Sequence, residues 1–394
     1  MFRRSTYQTL MLRLREPRHF IQVLTGPRQV GKTTVIQQVL GDLEIPGRLY
    51  NADAVISGQQ TWIHDCWEQT RLEMRIKAHA EFVLVFDEIQ KIQKWSEFVK
   101  KEWDDDTFAG RNIKVVLLGS SRVMLEKGLA DSMAGRFEEI RIGHWTYPEM
   151  RDAFGLTLEQ YIYYGGYPGS VVLLKDEQRW KEYIRTSMIE TAIQRDILLQ
   201  SPIGKPALLR QTFEMGAAYS GKLLSLTKML GSLQDAGNTV TLAGYLNLLQ
   251  ESCMLTGLQK YSTDTARKRA SIPKYQVYNN ALLCVYLDNS LENTVMNREL
   301  WGQIFESSIG AHIINQSFIS RYEVYYWREK QDEVDFILKR NQKLVAIEVK
   351  SNQESHTNGL LRFSEMYHPH QTLIVGEHGI KAEEFLSMSP MELF

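Results

Sequence analysis

The 394-residue sequence has few cysteines, and their positions argue against a common kind of metal site. Cys66, Cys253 and Cys284 lie far apart, and no two of them form a C-x-x-C pair. Structural zinc sites use cysteines at such short spacings, so the sequence predicts no structural zinc. Three isolated thiols fit a reduced compartment.

The sequence also lacks long apolar runs and an excess of one charge. No apolar run approaches the length of a membrane span, and the N-terminal arginines are followed by no apolar signal segment, so we expect a cytoplasmic protein with no membrane contact. With 46 basic and 47 acidic residues the net charge is −1, so any contact with nucleic acid must be local. The 43% of hydrophobic residues is enough to bury a substantial core.

A glycine-rich segment follows an apolar stretch near the start of the sequence. Residues 20–34 read FIQVLTGPRQVGKTT, which contains the pattern G-x-x-x-x-G-K-T. The glycines let the backbone approach phosphates closely, and a helix beginning near Lys32 adds the positive end of its dipole. Lys32 can reach the β- and γ-phosphates, and Thr33 can hold Mg²⁺. The alternative is a glycine turn that happens to carry a lysine. We expect ATP and Mg²⁺ as cofactors, with the nucleotide bound by Gly26, Pro27, Arg28, Gln29, Val30, Gly31, Lys32, Thr33 and Thr34.

A second apolar stretch ends in two acids. Residues 82–88 read FVLVFDE. In phosphate-loop enzymes the first acid of such a pair helps to hold Mg²⁺, and the second polarises the attacking water. We therefore expect Asp87 to lie next to the metal and Glu88 to act as the catalytic base. A buried strand that leaves the core through an acidic turn would give the same pattern, but the nearby phosphate loop favours catalysis.

Alternating strand and helix patterns predict that residues 1–155 form a parallel α/β sheet. Residues 48–53, 113–119 and 137–142 have strand character. The strands of such a sheet end where ligands bind. Ser120 follows one of them and can contact the γ-phosphate or the lytic water, unless it is an ordinary loop serine. Arg136 can face the nucleotide of a neighbouring subunit, where an arginine accelerates phosphoryl transfer, or it can be a surface arginine.

These segments together resemble a known family. GPRQVGKTT, VFDEIQ, LLGSS, AGR, IGHWTYPEM and YYGGYP occur in the order found in prokaryotic AAA+ ATPases with a DUF4143-type C-terminal region. The resemblance covers essentially the whole chain. It implies a Walker A motif at Gly26–Thr33, a Walker B motif at Asp87 and Glu88, a sensor-1 residue at Ser120 or Ser121, and an arginine finger at Arg136. It also implies a homo-oligomer, with a hexamer favoured.

The predicted lid departs from this family. Residues 156–205 are expected to form a small helical lid after the core. Many AAA+ lids offer a sensor-2 arginine, whereas Tyr164–Ser170 reads YGGYPGS. Neither Arg185 nor Arg195 can be given that role from the sequence.

Residues 206–298 have winged-helix character. Helices are predicted over 223–233 and 239–251, followed by a hairpin. The tip of this hairpin carries Arg267, Lys268 and Arg269. Such a tip can neutralise DNA phosphates, or it can be a solvated loop.

Residues 299–394 hold a second chemical signature. Glu306 lies in a predicted helix, Asp335 in a predicted strand, and Glu348 and Lys350 in the strand VAIEVK. Acids among apolar strand residues are costly unless a metal or a partner compensates them. The element order resembles the PD-(D/E)xK nuclease fold, which implies that Asp335 and Glu348 bind Mg²⁺, that Lys350 orients the attacking water and that Glu306 assists. The alternative is a DNA-binding or structural module in which Glu348 and Lys350 form an ion pair.

The predicted fold class is thus α/β, with an AAA+ core, a helical lid, a winged-helix-like module and a PD-(D/E)xK-like domain. The leading interpretation is an oligomeric, Mg-dependent ATPase that acts on DNA in repair or recombination, with a preference for branched forms such as Holliday junctions. A nucleotide-dependent switch or scaffold that binds a protein partner is one alternative, and an ATP-gated, metal-dependent DNA nuclease is another. Nothing in the sequence resembles a small-molecule kinase lid or the guanine motif N-K-x-D.

Overall fold

A computed structural model of the chain describes residues 2–55, 61–119, 132–198, 203–233, 237–264, 271–351 and 358–394. These residues form two compact units, Met1–Ile142 and Gly143–Phe394. In the described ranges, no helix has both the length and the apolar character needed to cross a membrane.

The first unit is a parallel sheet covered by helices. Its described helices are α1 (Ser5–Arg15), α2 (Lys32–Asp42), α3 (Trp62–Lys77) and α4 (Trp95–Phe108). Its strands are β1 (Ile21–Thr25), β2 (Gly47–Asn51), β3 (Phe82–Asp87), β4 (Ile113–Gly119) and β5 (Phe137–Arg141), and 3₁₀ turns cover Ala52–Ala54 and Ile89–Lys91. The strand order is β2-β3-β4-β1-β5, and all neighbouring pairs are parallel. This sheet confirms the predicted α/β core.

The central strands are buried on both faces because helices cover both. Alternate residues of a strand point to opposite faces, so Leu84 and Phe86 of β3 enter one hydrophobic cluster, while Val83 and Val85 enter another. The first cluster includes tryptophans of α3 and α4, and the second includes apolar residues of α1 and α2. A strand buried in this way reads as a continuous apolar run, which is why FVLVFD predicted it.

The strand register brings the ends of three strands to one edge of the sheet. Thr25, the last residue of β1, pairs with Gly119, the last residue of β4. Phe86 of β3 pairs with Leu117 of β4, so Asp87 lies near the same edge. The segments that follow Thr25 and Asp87 therefore leave the sheet at the same edge, with the end of β4 between them.

The second unit contains many short helices. Its described helices are α5 (Tyr147–Phe154), α6 (Leu158–Tyr164), α7 (Glu177–Tyr183), α8 (Pro206–Ala218), α9 (Leu226–Ser232), α10 (Thr239–Glu251), α11 (Ala281–Cys284), α12 (Leu291–Met296), α13 (Arg298–Ser320), α14 (Asn358–Tyr367) and α15 (Ala382–Ser387). π-Helical turns cover Ile184–Glu190 and Ala192–Leu198, and 3₁₀ turns cover Pro168–Leu173 and Pro390–Leu393. α10 has the predicted bounds, and Asn238 caps it by accepting a hydrogen bond from the backbone N–H of Thr241.

A six-stranded mixed sheet runs through this unit. Its strands are β6 (Leu255–Lys260), β7 (Lys274–Val277), β8 (Glu323–Glu329), β9 (Asp332–Arg340), β10 (Lys343–Lys350) and β11 (Gln371–Gly376), in the order β11-β10-β9-β8-β6-β7. β6 pairs antiparallel with β7 and parallel with β8. The predicted hairpin therefore exists, but its strands extend the C-terminal sheet. The predicted boundary between residues 298 and 299 separates strands that the structure joins.

The segment predicted as a lid contributes to the core of the second unit. Tyr163, Trp180 and Ile184 are fully buried in the same cluster as Tyr275 and Phe336 of the sheet. The predicted lid, winged-helix-like module and nuclease-like domain thus share one hydrophobic core.

Candidate nucleotide site and C-terminal carboxylate cluster

The loop between β1 and α2 has a backbone that only glycine permits at two positions. A Cβ on Gly26 would lie 2.1 Å from the carbonyl oxygen of Ile142, so a side chain there would collide with backbone. Gly31 has φ of +90°, in the left-handed region, and directly precedes α2. The loop is therefore folded so that α2 begins at Lys32 with its N-terminal N–H groups facing the loop, an arrangement suited to phosphate.

The side chain of Lys32 folds back against this loop. This side chain is buried, and its Nζ donates hydrogen bonds to the carbonyl oxygens of Gly26 at 2.9 Å and Pro27 at 2.7 Å. A buried ammonium needs such partners, because an unpaired charge away from water is costly. These contacts place the positive charge of Lys32 beside the first two residues of the phosphate loop.

Thr33 and Asp87 meet across the edge of the sheet. The Thr33 hydroxyl donates a hydrogen bond of 2.7 Å to Asp87 Oδ2, and the backbone N–H of Glu88 donates to Asp87 Oδ1 at 2.9 Å. Burial raises the pKa of the Asp87 carboxyl above its ordinary value, and the Thr33 hydrogen bond partly opposes this effect. A hydroxyl and a carboxylate placed together supply the hard oxygen ligands that Mg²⁺ prefers. The predicted metal ligands Thr33 and Asp87 are thus adjacent, and they fit a nucleotide-bound Mg²⁺.

Glu88 follows Asp87 in an uncommon backbone conformation. Its φ is +53°, in the left-handed region that few non-glycine residues adopt. Such conformations cost free energy and are found at functional sites, where the surrounding structure holds them. The Glu88 carboxylate accepts a hydrogen bond of 2.7 Å from Gln90 Nε2. Gln90 is buried, so this contact fixes the direction of the predicted base.

Two further groups support the site, and the sequence motifs did not predict them. Arg4, which is buried just before α1, donates a hydrogen bond of 2.9 Å to the carbonyl oxygen of Val30 in the phosphate loop. Gln90 lies three residues after Asp87, and only its position next to the acidic pair could have indicated its contact with Glu88. Arg4 has no such signal, because 26 residues separate it from Val30.

Arg136, the predicted arginine finger, makes a two-pronged ion pair within its own chain. Its Nε and Nη2 donate to the two carboxylate oxygens of Asp104 in α4, at 2.8 and 3.0 Å. This hydrogen bonding raises the pKa of the Arg136 guanidinium above its ordinary value. The side chain is about one-third exposed, so the pair lies at the surface of the first unit. A role toward a neighbouring subunit stays a prediction and requires Arg136 to leave Asp104.

Several predicted site residues lie outside the described residues. They are the candidate sensor serines Ser120 and Ser121 and the basic residues of the hairpin tip, Arg267, Lys268 and Arg269. Their predicted roles stay predictions.

The predicted nuclease-like residues do come together in the second unit, around a lysine that no sequence motif indicated. Lys274 of β7 is 1% exposed, and its Nζ lies 2.7 Å from Glu306 Oε1 and 3.1 Å from Asp335 Oδ1. Glu333 Oε1 lies 3.7 Å from the same nitrogen. Burial alone lowers the pKa of Lys274, but the carboxylates of Asp335, Glu306 and Glu333 outweigh it and raise this pKa above its ordinary value. Lys274 is therefore a buried ammonium among three acids.

Glu348 and Lys350 form the ion pair that the structural alternative predicted. Lys350 Nζ lies 2.6 Å from Glu348 Oε1, and the lysine side chain is 29% exposed. Burial raises the pKa of Glu348 to about 7, and the negative charge of Asp335 acts in the same direction. Burial and Asp335 likewise raise the pKa of Glu306 to about 7. The cluster thus contains several carboxylates that compete for few cations.

A third acidic group lies on the first unit. His64, Glu68 and Glu102 place one donor atom each within 4.8 Å of one another. Arg71 already occupies this group, since its Nη1 lies 2.7 Å from Glu68 Oε1 and 2.6 Å from Glu102 Oε2. The charge of these acids is therefore balanced by an arginine.

Three family matches divide the chain. Residues 18–151 match a family described as an AAA domain. Residues 155–293 match a domain of unknown function, DUF8612, and residues 301–391 match another, DUF4143.

Related proteins extend along most of the chain. It is 22% identical over 399 residues to an uncharacterized protein of Haemophilus influenzae. The aligned region covers 96% of this chain and 94% of that protein. It is 24% identical over 345 residues to an uncharacterized protein of Mycobacterium tuberculosis, and the aligned region covers 86% of this chain and 72% of that protein. It is 22% identical over 356 residues to an uncharacterized protein of Methanocaldococcus jannaschii, and the aligned region covers 84% of this chain and 75% of that protein.

The names of these relatives state no activity, so the family matches carry the assignment. An AAA domain indicates nucleotide binding and an ATPase, in agreement with the geometry of the phosphate loop. The chain therefore joins an AAA domain, at residues 18–151, to a DUF4143 region, at residues 301–391, as its motifs predicted.

Proposed function

We propose that this protein is a Mg-dependent ATP hydrolase in which Glu88 is the catalytic base. The observation that carries the proposal is the hydrogen bond of 2.7 Å between Thr33 and Asp87, beside a phosphate loop whose first carbonyl oxygens hold the Lys32 ammonium. Phosphoryl transfer depends mainly on positioning and on the stabilisation of charge, and these residues supply both.

Each residue has a distinct part in this proposal. The loop N–H groups and Lys32 bind the phosphates, and Thr33 and Asp87 hold Mg²⁺, which neutralises negative charge when it is bound. Glu88 accepts a proton from the attacking water, and Gln90 keeps its carboxylate in position. Val30 is held by Arg4, so the loop keeps its shape.

The test separates binding from hydrolysis. Mg-ATP at about a hundred times its dissociation constant stabilises a protein that binds it by roughly 2.7 kcal/mol, which a thermal shift detects. Lys32→Ala should abolish this shift. Glu88→Gln should keep it while lowering kcat by roughly 10²–10⁴-fold. Hydrolysis at the wild-type rate by Glu88→Gln would remove Glu88 from the role of base.

We further propose that hydrolysis is coupled to DNA, with branched DNA such as a Holliday junction as the favoured form. Support comes from the element order of the C-terminal region, where α13 precedes the antiparallel strands β8, β9 and β10, as in the PD-(D/E)xK fold. The predicted basic tip at residues 267–269 would add phosphate contacts. The alternative is a nucleotide-dependent switch or scaffold for a protein partner.

A single assay distinguishes these two functions. ATP hydrolysis is measured alone and with single-stranded, duplex and four-way-junction DNA at several salt concentrations. Stimulation that weakens as salt rises supports a DNA-acting ATPase, because phosphate contacts release counterions. Slow hydrolysis that no DNA form changes supports the switch.

Assembly into a homo-oligomer, with a hexamer favoured, belongs to the same proposal. It is supported by Arg136, whose partly exposed guanidinium lies at the surface of the first unit. Analytical ultracentrifugation with and without Mg-ATP tests it. A monomer with full ATPase activity would exclude a finger supplied by a neighbour.

A further inference from the structure

Lys274 stands where the nuclease-like arrangement would place a metal. The PD-(D/E)xK resemblance assigns a divalent cation to Asp335 and Glu348, with Glu306 nearby. In the structure the Lys274 ammonium lies 2.7 Å from Glu306 Oε1 and 3.1 Å from Asp335 Oδ1. These are ion-pair distances, so a positive charge already occupies the space among the carboxylates.

The oxygens of the two predicted metal ligands are mostly engaged. Asp335 Oδ2 accepts a hydrogen bond of 2.8 Å from the backbone N–H of Val349, and Asp335 Oδ1 contacts Lys274. Glu348 Oε1 contacts Lys350 at 2.6 Å. In the described part of the chain, Glu348 Oε2 alone of these four oxygens is buried without a hydrogen-bond partner. Mg²⁺ is usually held by one or two carboxylates, with waters completing its octahedron. Here both oxygens of Asp335 are engaged and Glu348 offers one, so the two predicted ligands could not both bind Mg²⁺ without competing with an existing contact.

Lys274 is fixed in this position by its strand. Its backbone pairs with Leu258 of β6 on one side and forms a bridge with Leu223 on the other. Its side chain is 1% exposed, and Nζ lies 5.1 Å from the centre of the Phe336 ring. A Mg²⁺ bound to Asp335 Oδ1 at about 2.1 Å would stand within about 5 Å of this ammonium, where the two charges repel.

We infer that Lys274 takes the place of the divalent cation, so that this cluster is a closed ion network that binds no Mg²⁺ and cuts no DNA. The inference removes the ATP-gated nuclease from the possible functions. It does not depend on ATP hydrolysis, because all the residues that carry it lie in the second unit.

The first experiment measures Mn²⁺ binding to the full-length protein without nucleotide, by electron paramagnetic resonance. The wild type is compared with Asp335→Asn, which removes the charge of the predicted metal ligand but keeps its size. We expect the two proteins to bind the same number of Mn²⁺ ions. One Mn²⁺ ion bound by the wild type and absent from Asp335→Asn would overturn the inference. So would DNA cleavage by the wild type with Mg²⁺ or Mn²⁺ that Asp335→Asn lacks.

The second experiment removes the lysine charge. Lys274→Met keeps most of the length of the side chain but leaves buried carboxylates without their cation, so we expect Tm to fall by roughly 6–20 °C. The variant should then bind one Mn²⁺ ion more than the wild type, and Mn²⁺ should recover part of the lost Tm. Neither effect should occur in Lys274→Met combined with Asp335→Asn.

Lys350→Met is the matched control, because it makes the same substitution at a half-buried lysine of the same cluster. We expect it to lower Tm less and to gain no Mn²⁺ ion. A folded Lys274→Met that takes up no additional Mn²⁺ would contradict the idea that the lysine fills a metal position. If Lys274→Met does not fold, the comparison of wild type with Asp335→Asn decides the question by itself.

Discussion

Acidification is expected to destabilise the second unit through one buried histidine. His312 of α13 is 4% exposed, its Nε2 lies 3.1 Å from the carbonyl oxygen of Met388, and the Phe385 ring lies 5.8 Å away, centre to centre. Burial lowers the pKa of His312 from 6.5 to about 4, and the Met388 carbonyl partly opposes this effect. The folded protein therefore keeps the imidazole neutral at pH values where the unfolded chain protonates it.

The sign and size of the effect follow from this difference. Below pH 6.5 the unfolded chain binds a proton that the folded protein does not, so the free energy of unfolding falls as pH decreases toward 4. Each pH unit in this window costs about 1.4 kcal/mol, which gives about 2 kcal/mol at pH 5 and about 3 kcal/mol below pH 4. Above pH 6.5 the contribution of His312 no longer changes with pH.

His312→Gln isolates this contribution. Glutamine can still donate an N–H to Met388 but does not titrate, and every other group titrates equally in both proteins. Urea unfolding is measured for both at pH 7 and pH 5, and the wild type should lose about 2 kcal/mol more than the variant between these values. Equal losses would refute the reasoning. NMR titration of the folded protein gives a second test, with the His312 resonance assigned by its absence from the spectrum of the variant. A His312 resonance that titrated near pH 6.5 would also refute the reasoning.

Three further predictions concern the nucleotide site. Gln90→Leu should lower kcat by roughly tenfold with little change in KM, because Glu88 loses a hydrogen bond that fixes its direction; steady-state kinetics measure both, and an unchanged kcat would exclude this positioning role. Arg4→Ala should weaken ATP binding by roughly tenfold through the loss of the contact with Val30, as titration calorimetry can show, and unaltered affinity would contradict it. Arg136→Ala should lower turnover without changing ATP affinity. Asp104→Asn should leave turnover unchanged, since a surface pair contributes only about 0–1 kcal/mol to stability. An equal loss of turnover in both variants would indicate a structural pair instead of a finger.

The fold of the first unit could be predicted because its sequence signals are local. The phosphate loop, the apolar run of β3 and the acids that follow it each fit within about ten residues, and each has a composition that one environment demands. The parallel sheet then brings these segments to one edge, so Thr33 and Asp87 meet although 54 residues separate them. Local pattern and topology were sufficient here.

The second unit could be predicted only in part, because its defining contacts are distant in sequence. The hairpin of β6 and β7 was predicted, but nothing in its composition indicates that β6 also pairs with β8. Lys274 reads as an ordinary strand lysine until the sheet places it 3.1 Å from Asp335, 61 residues later. Arg136 has the sequence position of a finger, and only the structure shows its contact with Asp104.

The joining of β6 to β8 sets the order in which the second unit can become stable during synthesis. Lys274 leaves the ribosome 61 residues before Asp335, which at ribosomal rates is about 3–12 s. During that interval β6 and β7 form an edge that lacks both its next strand and the acids that compensate the buried lysine. We therefore expect the part of the unit that emerges first to expose this edge until β8 and β9 arrive. We accordingly expect the DUF8612 and DUF4143 regions to become stable together, late in synthesis.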